Sequence, residues 1–424
     1  MLDASAAAQP FLHAGSLKYQ QGDLLAARED FQNAISVQPD LTPALFNLGV
    51  ICRDLEENDE AKKFFHDVLH RGEIVAESHN NLGILDARDE AFQDAEARYR
   101  KAIDLKPDFA LAHFNLANVL LRTEQWSEGW REYEWRWQTP TFTPLDCPQP
   151  RWQGQELDGT LLLHTEQGIG DTLQFARFIP LIHERCKRLI FVRPDHLGCL
   201  FQAGDWADEV QGAGQIDLDS FDAVLPLMSA PLALGIHSTE QIASQAETHH
   251  SGYMNFPRRS ITLPKARTDD KIRIGISWRG SPTYSNDRFR STALETFAPL
   301  LQNPRIELYS LHVGEAAEEL RQSEWSNQII DTSPMQSDLA DAAAIIQQLD
   351  VVLSVDTAML HLGASMGVPT WGLLSRRGDW RWLDRNRLDS PWYPSVRLFR
   401  QRSLNDWAEL ITRVRNELEQ AFPG

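Results

Sequence analysis

The sequence is poor in cysteine and in positive charge, and it has no long apolar run. Its 424 residues hold four cysteines, Cys52, Cys147, Cys186 and Cys199, none in a Cys-x-x-Cys pair. This spacing indicates neither a zinc site nor a disulfide framework, and a reducing cytoplasm is the expected compartment. Lysine and arginine number 41 against 60 aspartates and glutamates, a formal charge of −19. A general nucleic-acid binder needs a basic footprint, so that class is excluded, while a local basic pocket for phosphates is not. No apolar stretch reaches the ~18 residues of a membrane span. Met1 to Gly15 shows no basic n-region and no long apolar core, so no signal peptide is expected. What is present is an ordinary globular balance, 42% apolar and 24% charged. The length suits two or three domains at roughly 150 residues each.

The first third repeats itself. Gly15, Gly49, Gly83 and Ala117 stand 34 residues apart, as do Ala27, Ala61, Ala95 and Gly129, and Phe31, Phe65, Tyr99 and Tyr133. A small residue on one helix lets a second approach, and an aromatic four positions after the second small residue fills the groove between them. Pro39 and Pro107, each followed by Asp, end the first and third units. The second unit has Arg71-Gly72-Glu73 instead, and the fourth runs into Trp126, Trp130, Tyr133, Trp135 and Trp137. The pattern resembles the tetratricopeptide repeat over about residues 8–137. Stacked helix pairs make a concave surface. The expected use of that groove is to bind a protein or peptide, against a purely structural or dimerising role. The aromatic run is expected to pack where the solenoid meets the next domain.

Residues 138–158 carry Pro140, Pro144, Pro148 and Pro150 and read as a stiff linker. Beyond it, short apolar runs alternate with helical stretches. Strands are expected at 161–163, 189–192, 223–225, 272–276, 306–311, 351–353 and 370–374. Helices are expected at 172–186, 292–302, 314–323, 338–348, 357–366 and 404–420. Such alternation implies parallel sheets with crossover helices. The expected fold is therefore α plus α/β: a repeat solenoid over 1–137, the linker, and two Rossmann-like lobes over 159–265 and 266–424. Ligands in such lobes sit beyond the carboxyl ends of the strands.

Three segments at strand ends carry residues suited to chemistry. In Glu166-Gln167-Gly168-Ile169-Gly170-Asp171-Thr172, two glycines allow close backbone approach. The segment is neither a Walker loop nor a dinucleotide fingerprint. Asp171 reads either as a helix N-cap or as a general base in a cleft, and Gln174 lies on the helix that comes after it. The second segment joins Ser277 and Arg279 to Arg288 and Arg290. Arginine forks suit phosphate oxygens, although a salt-bridged surface loop fits the same residues. The third is Asp356-Thr357-Ala358-Met359-Leu360-His361, where a strand gives way to a helix whose first N–H groups suit a phosphate. His361 lies on the face of Thr357 and reads as a donor to a phosphate or ribose oxygen, or as a packed histidine. Asp356 suits a cap or a ribose hydroxyl. His66 and His70, four apart on a repeat helix, lack the acidic partner of a zinc-protease motif, and His249-His250 indicates nothing.

These segments together resemble a known family. Gly170-Asp171 after the first strand, Asp356-Thr357-Ala358-Met359-Leu360-His361, Gly367-Val368-Pro369 and Gly378-Asp379-Trp380-Arg381-Trp382 are similar to the heptosyltransferase-like glycosyltransferases, whose two Rossmann-like lobes form the GT-B arrangement. The whole chain resembles bacterial proteins that fuse tetratricopeptide repeats to such a domain. The resemblance implies a nucleotide-sugar donor, no essential metal or cofactor, Asp171 as the base and inversion at the anomeric carbon. It further implies that Thr357, Ala358 and Met359 meet the donor diphosphate, with His361 nearby. The sequence departs from heptosyltransferases at three points. Pro180 follows Asp171 by nine residues rather than six, Ala358 replaces a glycine, and a customary lysine has no counterpart unless Arg288 or Arg290 stands in. These departures point away from heptose transfer to lipopolysaccharide core. The expectation is a glycosyltransferase acting on a protein chosen by the repeats. A scaffold with idle lobes and a transferase acting on a glycolipid or polysaccharide precursor are the alternatives.

Overall fold

The computed structural model describes residues 4–201, 206–247, 252–254, 256, 259–264, 270–282, 284 and 286–423. His249 and His250 lie outside the described residues. The chain forms two compact units, Met1–Thr123 with Glu128–Pro144, and Glu124–Ser127 with Leu145–Gly424.

The 34-residue period becomes paired helices: α1 (Ala4–Gln20) with α2 (Leu24–Val37), α3 (Thr42–Asp54) with α4 (Asn58–Arg71), α5 (Val75–Arg88) with α6 (Phe92–Leu105), and α7 (Ala110–Arg122) followed by α8 (Trp126–Tyr133). The glycine column faces the aromatic column directly. A Cβ on Gly15 would stand 2.8 Å from the Phe31 ring, one on Gly49 2.8 Å from Phe65, and one on Gly83 2.7 Å from Tyr99. Ala27, Ala61 and Ala95 are fully buried beside them. The turn inside each pair repeats as well. Gly22, Glu56, Glu90 and Glu124, again 34 apart, take the left-handed conformation at φ +82°, +66°, +63° and +62°. Only the first of these is a glycine, so the tertiary frame holds the three glutamates there against their preference. Where the second unit lacks its proline, Gly72 ends α4 in the left-handed conformation, its N–H donating to the Leu69 carbonyl. Trp135 of the aromatic run stacks on His113, centroids 3.9 Å apart.

The second unit holds two sheets. The first comprises β1 (Leu157–His164), β2 (Cys186–Arg193), β3 (Glu209–Gly212) and β4 (Ala223–Pro226), all parallel, in the order β3-β2-β1-β4. Between β1 and β2 come α9 (Ile169–Phe175) and α10 (Ile179–His183), and after β4 come α11 (Ala230–Leu234) and α12 (Thr239–Glu247). The single helix expected over 172–186 is broken: a 3-10 turn over Ala176–Phe178 separates α9 from α10, which has Pro180 in its first turn, and Cys186 already belongs to β2.

The second sheet comprises β5 (Ile272–Ser277), β6 (Ile306–Ser310), β7 (Ile330–Asp331), β8 (Val351–Val355), β9 (Thr370–Leu374), β10 (Asp389–Ser390) and β11 (Tyr393–Arg400). Its order is β10-β11-β9-β8-β5-β6-β7, parallel except for β10 against β11. The helices are α13 (Asp287–Arg290), α14 (Glu315–Gln322), α15 (Leu339–Ile346), α16 (Ala358–Ser365) and α17 (Trp407–Ala421). The helix expected over 292–302 is a 3-10 turn, Leu294–Gln302, with Pro299 inside it. The central strands β5 and β8 are buried on every residue, which explains their unbroken apolar runs. A repeat solenoid followed by two parallel α/β lobes is the fold class expected from the sequence.

The glycine–aromatic contact carries a prediction. Gly83→Ala should destabilise the repeats by about 1–3 kcal/mol through overpacking, read by urea unfolding followed in the far ultraviolet. Adding Tyr99→Ala should give less than the sum of the two single costs, because the ring that the methyl meets has gone.

Candidate functional site between the two lobes

Strand order decides where a site can form. In the first sheet the chain runs β1, β2, β3 in one direction and then places β4 on the other side of β1. In the second, β6 and β7 lie on one side of β5, and β8 and β9 on the other. The crevices at these reversals lie at the carboxyl ends of β1, β5 and β8. The three segments singled out in the sequence are the loops that leave those three strands.

Beyond β1, Glu166 turns back to accept the Met228 N–H at 3.1 Å and so ties its loop to the end of β4. Gly168 is the residue that caps α9, with φ −70° and ψ 175°. It has no side chain to offer, and Asp171, at the third helical position rather than at the cap, reaches back so that its Oδ2 accepts the Gly168 N–H at 2.9 Å. The Thr172 hydroxyl donates to the Gly168 carbonyl at 3.1 Å. Gln167 is half-buried on this loop. Gln174 turns inward and is fully buried, and neither atom of its amide finds a hydrogen-bond partner among the described residues.

The second lobe brings hydroxyls together beyond β5 and β8. Thr357 Oγ1 lies 3.3 Å from Ser277 Oγ and 3.0 Å from Ser354 Oγ, and it accepts the Met359 N–H at 3.3 Å as the cap of α16. Ala358 and Met359 are half-buried at the start of that helix. Arg290 donates from Nη1 to the Asp356 carbonyl at 3.1 Å and from Nε to Asp287 at 2.9 Å. Arg288 lies over the Phe289 ring. Arg279 turns to Glu319, 2.8 Å away, at the rim of a surface depression lined by Glu295, Glu315, Glu318 and Glu319.

His361 is buried, with Nδ1 2.8 Å from the Tyr393 hydroxyl and Nε2 3.8 Å from Asp356 Oδ1. Burial works to raise the Asp356 carboxyl, but His361, the Trp382 indole and Arg290 together outweigh it and hold the group below its usual range. Burial raises the Tyr393 phenol well above its ordinary value, so it stays protonated as a donor.

The lobes meet at two of these points. A Cβ on Gly170 would stand 2.7 Å from His361 Cδ2, so the first loop lies directly on the histidine of the second lobe. Asp171 Oδ1 lies 2.5 Å from Arg381 Nη2. Arg381 belongs to the loop beyond β9, where Asp379 accepts its backbone N–H at 3.0 Å and its Nη1 at 2.7 Å. The structure thus gathers Gly170 and Asp171 of the first lobe beside His361 of the second, and Asp356 links His361 to Arg290, next to the Ser277–Thr357 pair. Arg279 is turned to Glu319 instead, and the Gln174 carbonyl accepts from Arg177 Nε.

Three contributors were not singled out from the sequence. Arg381 sits inside the Asp-Trp-Arg-Trp segment, and its place beyond a strand end was the available signal. Tyr393 begins β11, a strand obscured by Pro394 and by its lack of an apolar run. His312 accepts the Trp278 backbone N–H at 3.0 Å and packs on that indole; only the fold reveals it.

A metal fits poorly among the described residues. Cys52, Glu57 and Glu60 approach ligand spacing, but burial pushes the Cys52 thiol up to about 12, and Arg28 already binds both glutamates. His70 Nδ1 lies 2.7 Å from the His66 carbonyl, which occupies one nitrogen of that pair.

Comparison with known proteins bears on the two parts differently. Residues 12–72 match the tetratricopeptide repeat family and residues 91–123 the TPR repeat family, so the first unit carries tetratricopeptide repeats. The chain is similar to Protein FlbA of Caulobacter vibrioides, 25% identical over 426 residues, which cover 92% of this chain and 69% of that protein. It is 32% identical over 101 residues to the human Protein O-mannosyl-transferase TMTC3, a match covering 23% of this chain and 11% of that protein. A mutant O-GlcNAc transferase of Thermobaculum terrenum aligns with 100% of this chain and 94% of its own, at 15% identity and a TM-score of 0.35. No described helix is long and apolar enough to cross a membrane.

The setting of His312 makes stability depend on pH. Burial, with Arg279 adding to it, pushes the ring down to about 3 from its ordinary 6.5. Below pH 6.5 the unfolded chain binds a proton that the folded ring refuses. Stability is therefore complete above pH 6.5 and falls as the pH drops towards 3, by up to about 1.4 kcal/mol per unit. His312→Gln keeps an acceptor for Trp278 and should flatten this part of the pH profile, read by urea midpoints between pH 7 and pH 4.

Proposed function

We propose that the second unit is a glycosyltransferase, heptosyltransferase-like in its segments, that moves a sugar from a nucleotide-activated donor to an acceptor hydroxyl with inversion. The observation that carries this reading is the pairing of Asp171 with Arg381, a base-type carboxylate from one lobe against a cation from the other, beside the Gly170–His361 contact. The step needs a proton acceptor at the nucleophile and positive charge at the leaving group. Asp171 takes the proton from the acceptor hydroxyl. That oxygen bonds to the anomeric carbon, and the bond from carbon to the diphosphate oxygen breaks with its electron pair leaving on the diphosphate. Arg290, the first N–H groups of α16 at Ala358 and Met359, and the hydroxyls of Ser277 and Thr357 receive that charge, and His361 donates alongside them. Gln167, Gly168 and Gly170 line the acceptor side. Arg279 and Arg288 extend the positive rim, Arg279 only on leaving Glu319. Tetratricopeptide repeats are binding surfaces, and here they select a protein acceptor for the cleft.

A second reading has its own observation. Both oxygens of Asp171 are engaged, one by Gly168 and one by Arg381, as they would be in a scaffold whose lobes no longer react. A panel of sugar nucleotides, followed by thermal shift and nucleotide release, separates the two. The transferase reading expects one donor that both stabilises the full chain and is turned over. Asp171→Asn should lower that turnover by about 10²–10⁴-fold while the fold is retained. Turnover unchanged in Asp171→Asn would remove Asp171 as the base, and no response to any donor would favour the scaffold.

A further inference from the structure

Asp171 presents a difficulty for the step just described. Its Oδ2 is taken by the Gly168 N–H and its Oδ1 by Arg381 Nη2 at 2.5 Å, with side chains only 24% and 9% exposed. Arg381 Nη2 occupies the oxygen that faces the second lobe, where an acceptor hydroxyl would have to approach. A base must also offer a lone pair within hydrogen-bond reach of the hydroxyl. In the arrangement seen, an acceptor hydroxyl meets a carboxylate with a donor already on each oxygen.

Arg381 is built to leave. Asp379 holds it independently through Nη1 and the backbone N–H, and its guanidinium lies 4.5 Å from the Trp380 ring centre. If Nη2 releases Asp171, the side chain keeps its anchor in its own lobe. Arg381 also follows β9, whose neighbour β8 leads into the start of α16. An anion at that helix start is one strand away, and a diphosphate is a stronger magnet for a guanidinium than a single carboxylate.

We infer that Arg381 is a donor-binding residue that exchanges Asp171 for the diphosphate of the nucleotide sugar, so that donor binding frees the base. The inference rests on the proposed transferase function and adds its order of events: donor first, acceptor second. Without donor, Arg381 Nη2 stays on Asp171 Oδ1. With donor, the same cation moves to where negative charge develops, and Oδ1 is left for the acceptor hydroxyl.

The test is calorimetric titration of the full chain with inorganic pyrophosphate and with ADP, GDP, UDP and CDP. Wild type, Asp171→Asn, Arg381→Met and the double variant are compared, with circular dichroism to verify the fold. The exchange expects the diphosphate that binds wild type to bind Asp171→Asn about tenfold more tightly and Arg381→Met about tenfold more weakly, of the order of one charged hydrogen bond. It also expects the gain from Asp171→Asn to vanish in the Arg381→Met background. A gain that persists undiminished there is long-range charge alone and overturns the exchange. Unchanged affinity in Asp171→Asn, whose side chain is isosteric, overturns it too. Absence of binding by every diphosphate, together with no turnover in the sugar-nucleotide panel, would sink the transferase reading itself. That outcome is distinct from binding without coupling.

Discussion

Much of the second unit depends on Gly170 lying against His361. With a side chain at that position the Cβ would fall 2.7 Å from the ring, and one of the two loops would have to withdraw. The approach is possible because Gly168 opens α9 without a side chain of its own and Asp171 fills in as its hydrogen-bond partner. One short loop therefore fixes three things together: the start of α9, the distance between the lobes, and the position of the carboxylate. On the other side, His361 is held by Tyr393 and faced by Asp356, so the ring that Gly170 meets has partners on both nitrogens. Removing either support would loosen the surface on which the loop rests.

The repeats obey a similar constraint by different means. There, close approach recurs with the period of the chain, and Gly15, Gly49 and Gly83 each face the aromatic of the next helix in their own unit. Two columns of four small residues and one of four aromatics are a pattern that sequence alone displays, and for that reason the repeats were legible. The lobes were legible in outline. β5 and β8 are continuous apolar runs because both of their faces are covered, and their loops carry the segments marked as candidates. What escaped has particular causes. β3 is half-buried and four residues long, β7 and β10 have two residues each, and β11 carries a proline at its second position. The break between α9 and α10 was signalled by Pro180, which opens a new turn rather than interrupting an old one.

At the candidate site, residue types were legible and partners were not. Spacing placed arginines beyond β5, but it could not tell that Arg279 turns to Glu319 while Arg290 turns to Asp356. In a chain of charge −19 carboxylates outnumber arginines, so which of them an arginine meets is a property of the fold. The same excess of acid explains why Asp287, Asp356 and Asp379 stand beside Arg290 and Arg381. The Asp287 and Asp379 carboxylates and the Asp356 backbone carbonyl orient the guanidinium groups.

Two of the contacts that join the lobes are of opposite character, and the contrast bears on how a cleft can work. Arg177, from the turn after α9, is almost fully buried and donates from Nε to the Gln174 carbonyl. Its guanidinium lies over the rings of Tyr253, Trp392 and Tyr393, at 4.7, 5.5 and 4.9 Å. Neither Nη finds a hydrogen-bond partner among the described residues. Attraction between a cation and ring faces deep in the interior is little screened by salt, and a phosphate cannot reach it without opening the protein. In the Asp171–Arg381 pair the arginine is buried and the carboxylate partly exposed, and in the proposed exchange the donor's diphosphate competes for the arginine. That exchange would rearrange the second contact while the first keeps the lobes in register. An inner clamp of aromatic rings and an outer pair of charges thus let the charge of the site change without loss of its geometry.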